Sequence, residues 1–577
     1  MKSRWILLIA LTLLIYGGST WSPPLLDDAD AANAETAREM VARGDWVTLH
    51  MNGVRFLEKA PVMYWAIALS YKIFGVSTFS ARLPLALATL LLIIMVYAFG
   101  NWMGGERAGF YSGLSLCVGL GVYLFTRILI FEVILTLWMT VAFYFFLKVY
   151  FEELDAKWSY VVYACLAAAV LSKGLIGVVF PLGILFVFVL LTGGWKRVWQ
   201  MRPISGTLLF LVLAVPWHVL AGLRNDRFFW FYFINEHVKR FLGTRYPMDY
   251  DTMPLVPFWL GHLLWLFPFS VFLPLAFGRV RDLWRPANRA AQLRLFAIIW
   301  FLVIVGFFSF STRQEYYTFP VFPALALLIG YGLAEGEQQK NRWILVGQGL
   351  LLVIGLAVAA VLAYALWLSR GVTPTGDISQ FLTSNPENYR LSLGHASDLT
   401  ASAFATLRVP AAGAASAFGL GFSLAFIFRL RRQMVAASIT TAMAVAGLIF
   451  FAHMALGVFS PYLSSQPMAA AIQSRLKPDD IVVFNGEYQS HSSVGFYLAR
   501  QVLLLNGRTT VLEFGSHYPD SPPVFIDQME LARLWMESKR IFLVTNNDKF
   551  EEVKKVLPGE VFTLASAGGK SVYSNRR

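Results

Sequence analysis

Stretches of roughly 20 mostly apolar residues recur along this chain, and that feature decides what it can fold into. They lie near residues 80–100, 107–126, 130–150, 158–172, 174–193, 205–223, 255–277, 293–311, 316–334, 342–368, 403–428 and 434–458. The bilayer core offers no water to backbone N–H and C=O groups, so segments of this length read as membrane-crossing helices. One more is expected at residues 1–20, where Lys2 and Arg4 precede a short apolar run. A cleaved signal peptide is the alternative there, but Tyr16 and the bulky Trp21 fit poorly with a small-residue cleavage site. Charge agrees: 14% of the 577 residues are Asp, Glu, Lys or Arg, against roughly 25% in soluble domains. The expected fold class is a polytopic α-helical membrane protein with about thirteen transmembrane helices.

The loops carry a second signal. If residue 1 is cytoplasmic, every other connection should be basic. Arg107, then Lys148 and Lys157, then Lys196, Arg197 and Arg202 fall where this requires. So do Arg279, Arg281, Arg285, Arg289 and Arg294, then Lys340 and Arg342, then Arg429, Arg431 and Arg432. Loops 25–64, 224–254 and 369–402 then face outward. The net charge of +13 is thereby assigned to cytoplasmic loops and anionic lipid. No basic, aromatic-interleaved soluble domain supports a nucleic-acid partner. Cys117 and Cys165 both lie in apolar stretches and have no metal-ligand spacing.

Two regions depart from the apolar pattern. In residues 21–80, the first outer loop, residues 34–43 form helices readily, with Asp30 or Asn33 as cap and Gly44 as stop. Residues 61–74 open on Pro61 and are too polar to span, which suits a helix lying at the interface. From residue 459 to 577 the pattern changes to short apolar runs at 481–486, 501–507 and 540–547, alternating with helical stretches at 492–500 and 525–539. That alternation predicts a small extracytoplasmic α/β domain beside a transmembrane domain of residues 1–458. It contains no Gly-rich phosphate loop.

Ionisable groups near lipid are costly and usually have a partner or a task. The outward side collects Asp28 and Asp30, Glu58 and Lys59, Arg127 and Glu132, Lys173, Glu236, His237, Arg240 and Arg245, then Arg313 and Tyr317. Bland readings exist for each. The aspartates can cap a helix, Glu58–Lys59 can be an exposed pair, Glu132 can be a structural partner of Arg127, Lys173 can snorkel, and His237 can be structural. Taken together, acids beside cations at a membrane surface suit one chemistry: a carboxylate takes a proton from an acceptor hydroxyl while cations hold a phosphate leaving group.

At this point the motifs resemble a known family. "AETAREM" (34–40), "GDW" (44–46), "NGVRFLEKAPVMYW" (52–65), "RILIFEVILTL" (127–137), "LSKGLIGVVFP" (171–181), "VPWHV" (215–219), "NEHVKRFLG" (235–243) and "STRQEYYTFPVFP" (311–323) stand in order. The chain is similar to the GT-C class of lipid-linked sugar transferases, in the protein O-mannosyltransferase-like branch that includes the lipid A aminoarabinose transferases. The resemblance implies an inverting glycosyltransferase of the bacterial inner membrane, with its active-site loop and C-terminal domain periplasmic. Its donor would be a polyprenyl-phosphate sugar, and its acceptor a lipid, glycan or protein. It implies catalytic roles for Asp28 or Asp30, with Glu58 and Glu132, and donor-phosphate contacts from Lys59, Arg127, Lys173, Arg240, Arg313 and Tyr317. Counting back from "AREM", the family's Asp-Glu pair falls on Ala29 and Asp30, so the choice between Asp28 and Asp30 stays open. Where aminoarabinose transferases carry Arg-Tyr this chain has Ala32 and Asn33, which leaves the sugar and the acceptor undecided. No metal ligand set is read and no cofactor is fixed; a divalent metal stays open. The rival readings are a transporter or flippase, which would place its charges at the midplane of related halves, and an assembly protein.

Overall fold

Each apolar segment read from the sequence falls on a helix. The computed structural model describes residues 2–247, 252–277, 288–374 and 401–577. Arg279, Arg281 and Arg285 of the expected basic loop, and residues 248–251 and 375–400 of the expected outer loops, lie outside the described residues. Among those described, eight helices are long and apolar enough to cross a bilayer. They become nine if Leu255–Trp265 and Phe269–Ala276, bent by 102°, form one broken span. The expected number is larger for two reasons. Segments 80–100 and 107–126 run together as Thr78–Cys117, interrupted by the non-helical Gly104 and Gly105. The helices Arg4–Gly17, Ser159–Lys173 and Ile176–Thr192 are shorter than a full span. At the Gly104–Gly105 break the chain folds back on itself. A Cβ on Gly109 would sit 2.5 Å from the Tyr97 carbonyl oxygen and 2.7 Å from the Asn101 nitrogen. The two arms therefore pack as a hairpin whose closest approach only glycine permits.

The basic connections meet at one end of the bundle. There Glu153 accepts hydrogen bonds from Lys148 and Trp102, both at 2.7 Å, and pairs with Arg289. Glu337 takes the Arg429 guanidinium at 3.2 Å and the Tyr111 hydroxyl at 2.8 Å. The first outer loop, the 127–132 turn, Lys173, the 224–247 segment and the C-terminal sheet gather at the other end.

In the first outer loop the helix runs Ala29–Arg43 and stops at Gly44, whose φ of 66° is left-handed. It starts earlier than the sequence suggests, with Asp28 rather than Asp30 or Asn33 at the N-cap position. The reason is that Asp30 and Asn33 are committed elsewhere. The Asp30 carboxylate, fully buried, accepts from Arg82 Nη2 at 2.7 Å and from the backbone N–H groups of Leu26 and Leu129. Asn33 Nδ2 donates to the Leu129 carbonyl at 2.8 Å. Next come β1 (His50–Met51) and β2 (Val54–Arg55), an antiparallel pair joined by Asn52 and Gly53, both at positive φ, as a two-residue Asn-Gly hairpin requires. Helix Val62–Phe74 follows Pro61.

The C-terminal region forms a six-stranded sheet of β3 (Ile481–Asn485), β4 (Leu503–Leu505), β5 (Phe525–Ile526), β6 (Ile541–Asn546), β7 (Phe562–Ala567) and β8 (Lys570–Ser574), in the order β5-β4-β3-β6-β8-β7. The three expected strands form its parallel core, with β5 added at one edge. The β7–β8 hairpin was not foreseen, because "FTLASA" and "KSVYS" are too polar to read as apolar runs. The last long helix, Met434–Leu463, leads directly into this region. The sheet region grips the first outer loop. Asn52 exchanges two 2.9 Å bonds with the Val502 backbone. The Asp27 carboxylate takes Ser493 N and Oγ, Ser465 Oγ and, at 2.6 Å, Lys570 Nζ.

The helix Trp230–Lys239 divides lipid from protein. Trp230, Ile234 and Val238 are exposed while Tyr232 and Glu236 are buried. Its His237 docks on the turn after Lys173, with Nδ1 2.6 Å from the Tyr232 carbonyl and Nε2 3.0 Å from the Leu175 N–H. A carbonyl on one nitrogen and an N–H on the other define a neutral ring. Burial pushes its pKa down to about 4. Gly174 holds this contact at φ 77°, and a Cβ there would lie 2.2 Å from His237 Nε2.

Two outcomes are expected from this packing. Removing one partner of a buried pair leaves an uncompensated charge, so Lys570→Met should cost roughly 3 kcal/mol. That is measured as a lower melting temperature and faster proteolysis between residue 463 and the sheet; Asp27→Asn in the Lys570→Met background should restore part of the loss. His237 and His491, the latter also pushed by burial down to about 4, each bind fewer protons folded than unfolded. Their contribution is complete above the unfolded value of about 6.5 and is lost as pH falls toward 4. His237→Asn should therefore flatten the fall of stability with acid by up to about 1.4 kcal/mol per pH unit, and an unaltered slope would refute the neutral ring.

Candidate active site

The elements of the outer end enclose a cavity of about 870 Å³. The first outer loop contributes Asp28, Glu58 and Lys59. Glu132 comes from the first turn of helix Glu132–Tyr150, and Lys173 from the last turn of helix Ser159–Lys173. Glu236 and Arg240 come from the interfacial helix and its C-cap, and Tyr316 and Tyr317 from the turn Glu315–Val321. The C-terminal region closes the remaining wall with Glu487, Gln489, Ser490 and Thr510.

Seven of the ten residues to which the resemblance gives roles thus meet here: Asp28, Glu58, Lys59, Glu132, Lys173, Arg240 and Tyr317. Three do not line the cavity. Asp30 is held by Arg82 beneath the loop, so of the two aspartates only Asp28 faces the cavity. Arg127 turns inward, bonded to the carbonyl and hydroxyl of Ser19 and set over the Tyr123 ring at 5.2 Å. Arg313 spends its guanidinium on the carbonyls of Met253 at 2.7 Å and Ser309 at 3.1 Å. Both arginines satisfy backbone carbonyls left open where a helix breaks, a demand that charge patterning in sequence does not reveal.

The buried charges are ordered. Arg245, itself buried, bridges two carboxylates, with Nη2 2.7 Å from Glu58 Oε1 and Nε 2.7 Å from Glu236 Oε1. Glu236 also pairs with Arg240 at 3.0 Å. Burial pushes the Glu58 carboxyl upward, but Arg245, Lys59 and Arg240 outweigh it and hold it below its ordinary value. Burial also raises Glu236, and the neighbouring Glu58 charge adds to that rise. With Glu58 engaged by Arg245, Lys59 Nζ is left 3.4 Å from Glu58 Oε2 and keeps part of its surface open. Lys173 contacts Glu132 and lies 4.9 Å from the centre of the Tyr317 ring. The other Glu132 oxygen, Oε2, has no hydrogen-bond partner among the described residues. Asp28 has φ 65° and ψ −133°, a backbone state rare outside glycine and costly unless its surroundings impose it. Here they do: its N–H donates to the Gln489 carbonyl at 2.8 Å, and its carbonyl accepts from Ser492 Oγ at 3.2 Å.

Chemically, the cavity sets the Asp28 carboxylate beside three cations, Lys59, Lys173 and Arg240, each with a glutamate neighbour in Glu58, Glu132 and Glu236 respectively. Its membrane side is apolar, built from Ile176, Val179, Val238, Phe241, Phe307 and Phe308, of which Val179 and Val238 also face outward. Among the described residues no three His, Cys, Asp or Glu side chains gather as a metal-binding group. The sequence places Glu236 and Arg245 on the outward side but gives them no role in the site. Glu236 sits in a quoted motif and could have been included, but nothing local ties Arg245 to Glu58, 187 residues away.

Comparison with known proteins agrees with this geometry. Residues 58–219 match the family profile described as dolichyl-phosphate-mannose-protein mannosyltransferase. An undecaprenyl phosphate-alpha-4-amino-4-deoxy-L-arabinose arabinosyl transferase of Aeromonas hydrophila is 29% identical over 367 residues, 59% of this chain and 63% of that one. A namesake from Pseudomonas aeruginosa is 28% identical over 353 residues, 58% of this chain and 60% of its own. The match thus spans less than two thirds of the length of these relatives. The crystal structure of ArnT from Cupriavidus metallidurans bound to undecaprenyl phosphate superposes with a TM-score of 0.81 at 25% identity, covering 99% of this chain and 97% of that one. By its fold and its ordered outer-loop motifs, the chain is similar to the GT-C class of lipid-linked glycosyltransferases, in their aminoarabinose-transferase branch.

Proposed function

We propose that this chain is an inverting glycosyltransferase that moves a sugar from a polyprenyl-monophosphate donor to a lipid, glycan or protein acceptor. The observation that carries the reading is one cavity with three features: an apolar side open toward lipid, the Lys59, Lys173 and Arg240 cations, and the Asp28 carboxylate. The relatives named for undecaprenyl phosphate sugars favour a carrier of that class. The polyprenyl chain enters between Val179, Val238 and Phe241, which leaves its phosphate beside the cations. Asp28 accepts the proton of an acceptor hydroxyl as that oxygen bonds to the anomeric carbon. The bond from that carbon to the phosphate oxygen breaks, and the electron pair leaves with the carrier phosphate, whose charge Lys59 and Arg240 neutralise. A single displacement inverts the anomeric centre. Glu58 and Glu236 act through Arg245 and Arg240 rather than on substrate, and Glu132 orients Lys173. The basic end of the bundle is cytoplasmic and the cavity periplasmic, in the inner membrane of a bacterium, with thirteen crossings and a C-terminal α/β domain from about residue 459.

Labelled undecaprenyl-phosphate sugars presented to membranes containing the chain test this. Asp28→Asn should lower transfer about 10²- to 10⁴-fold without changing the melting temperature. Lys59→Ala should weaken carrier binding by about tenfold or more. Asp30→Asn should instead lower the yield of folded protein, because it leaves Arg82 buried and unpaired. Full transfer by Asp28→Asn, or movement of intact donor across the bilayer without sugar transfer, would sink the reading.

A further inference from the structure

The cavity wall built by the C-terminal region differs from the other walls. The carboxylates of Asp27, Glu58, Glu132 and Glu236 are each matched with a Lys or Arg. Glu487 makes no ion pair among the described residues, and its one side-chain hydrogen bond comes from Thr510 Oγ1 at 3.4 Å. Gln489 and Ser490 stand beside it, and this wall contributes no Lys or Arg to the cavity. A half-buried carboxylate among neutral polar groups repels an anion and favours groups that donate hydrogen bonds. The wall also borders the reaction centre, since the Gln489 carbonyl accepts the Asp28 N–H.

We infer that Glu487, with the Gln489 and Ser490 side chains and Thr510, forms a sugar subsite. It takes a group bearing hydroxyl or amino hydrogen-bond donors, while the phosphate stays with the cations that the other elements supply. The inference rests on the transferase reading above and gives the C-terminal region a part in substrate recognition. Two sources share this chemistry: the sugar on the carrier, and a glycan on the acceptor.

The test uses the full chain in lipid nanodiscs, with undecaprenyl phosphate and undecaprenyl phosphate-4-amino-4-deoxy-L-arabinose as binding probes and an envelope glycolipid extract as acceptor. Glu487→Ala and Gln489→Ala are compared with the parent chain at equal melting temperature. If the subsite holds the donor sugar, Glu487→Ala weakens binding of the sugar-linked carrier about tenfold and leaves bare undecaprenyl phosphate unchanged. If it holds the acceptor, both carrier affinities stand and the KM for the extract rises by a similar factor. Gln489→Ala should move the same quantity in the same direction by less. Unchanged affinities and KM in both variants, while carrier binding still depends on Lys59, overturn the subsite and leave the transferase reading in place. Carrier binding indifferent to Lys59→Ala overturns the phosphate site, and the subsite with it.

Discussion

The ion pair between Asp30 and Arg82 fixes the rest of the outer end. A carboxylate taken out of water must be matched by a charge or by several donors, and Asp30 has both: Arg82 and two backbone N–H groups. These partners come from the turn just before the first-loop helix, from helix Thr78–Cys117 and from the turn that precedes helix Glu132–Tyr150. One side chain therefore sets the first outer loop against two elements of the bundle. Asp28, two residues earlier, is delivered to the cavity in a backbone state it would not choose alone. What looks in the sequence like a row of interchangeable acids is one anchor and one exposed carboxylate.

The same demand organises the cavity. Arg245 lies between two glutamates, and Arg240 and Lys59 complete the set. Single pairs of this kind add little to stability, but removing a member is costly. Their value here is positional. Glu58 and Glu236 tie the first loop to the interfacial helix, and the cations they do not fully neutralise remain on the cavity side. The residues proposed to touch a substrate and those that hold them in place are chemically alike, and burial is what tells them apart.

Much of this was legible in the chain. Apolar length and the Pro61 signal report local physics, and the helices they mark appear where they were read, whereas the Asn52–Gly53 hairpin was not read from the sequence. The parallel core of the C-terminal sheet was legible for the same reason, since strands buried on both faces are apolar throughout. The β7–β8 hairpin was not, because its stability comes from pairing with β6 rather than from its own composition. The resemblance gives Arg127 and Arg313 to the donor phosphate, but the structure sets them on backbone carbonyls, and a cation of either kind looks the same in sequence. That Asp28 rather than Asp30 faces the cavity also needed three dimensions: it turns on Arg82, 52 residues away.

The pair between Asp27 and Lys570 has a consequence for how the protein comes into being. Its two residues are separated by 543 positions, so the first outer loop gains this partner only after all the intervening chain has been made. Until residues 487–511 are made and folded, the cavity lacks its C-terminal wall and Asp28 lacks the Gln489 and Ser492 contacts that hold its backbone state. Such long-range closure is slow and comes late in assembly. A chain cut before β3 would keep the cations and the lipid-facing side but lack the C-terminal wall, and the Asp27–Lys570 pair then clamps that wall to the first outer loop.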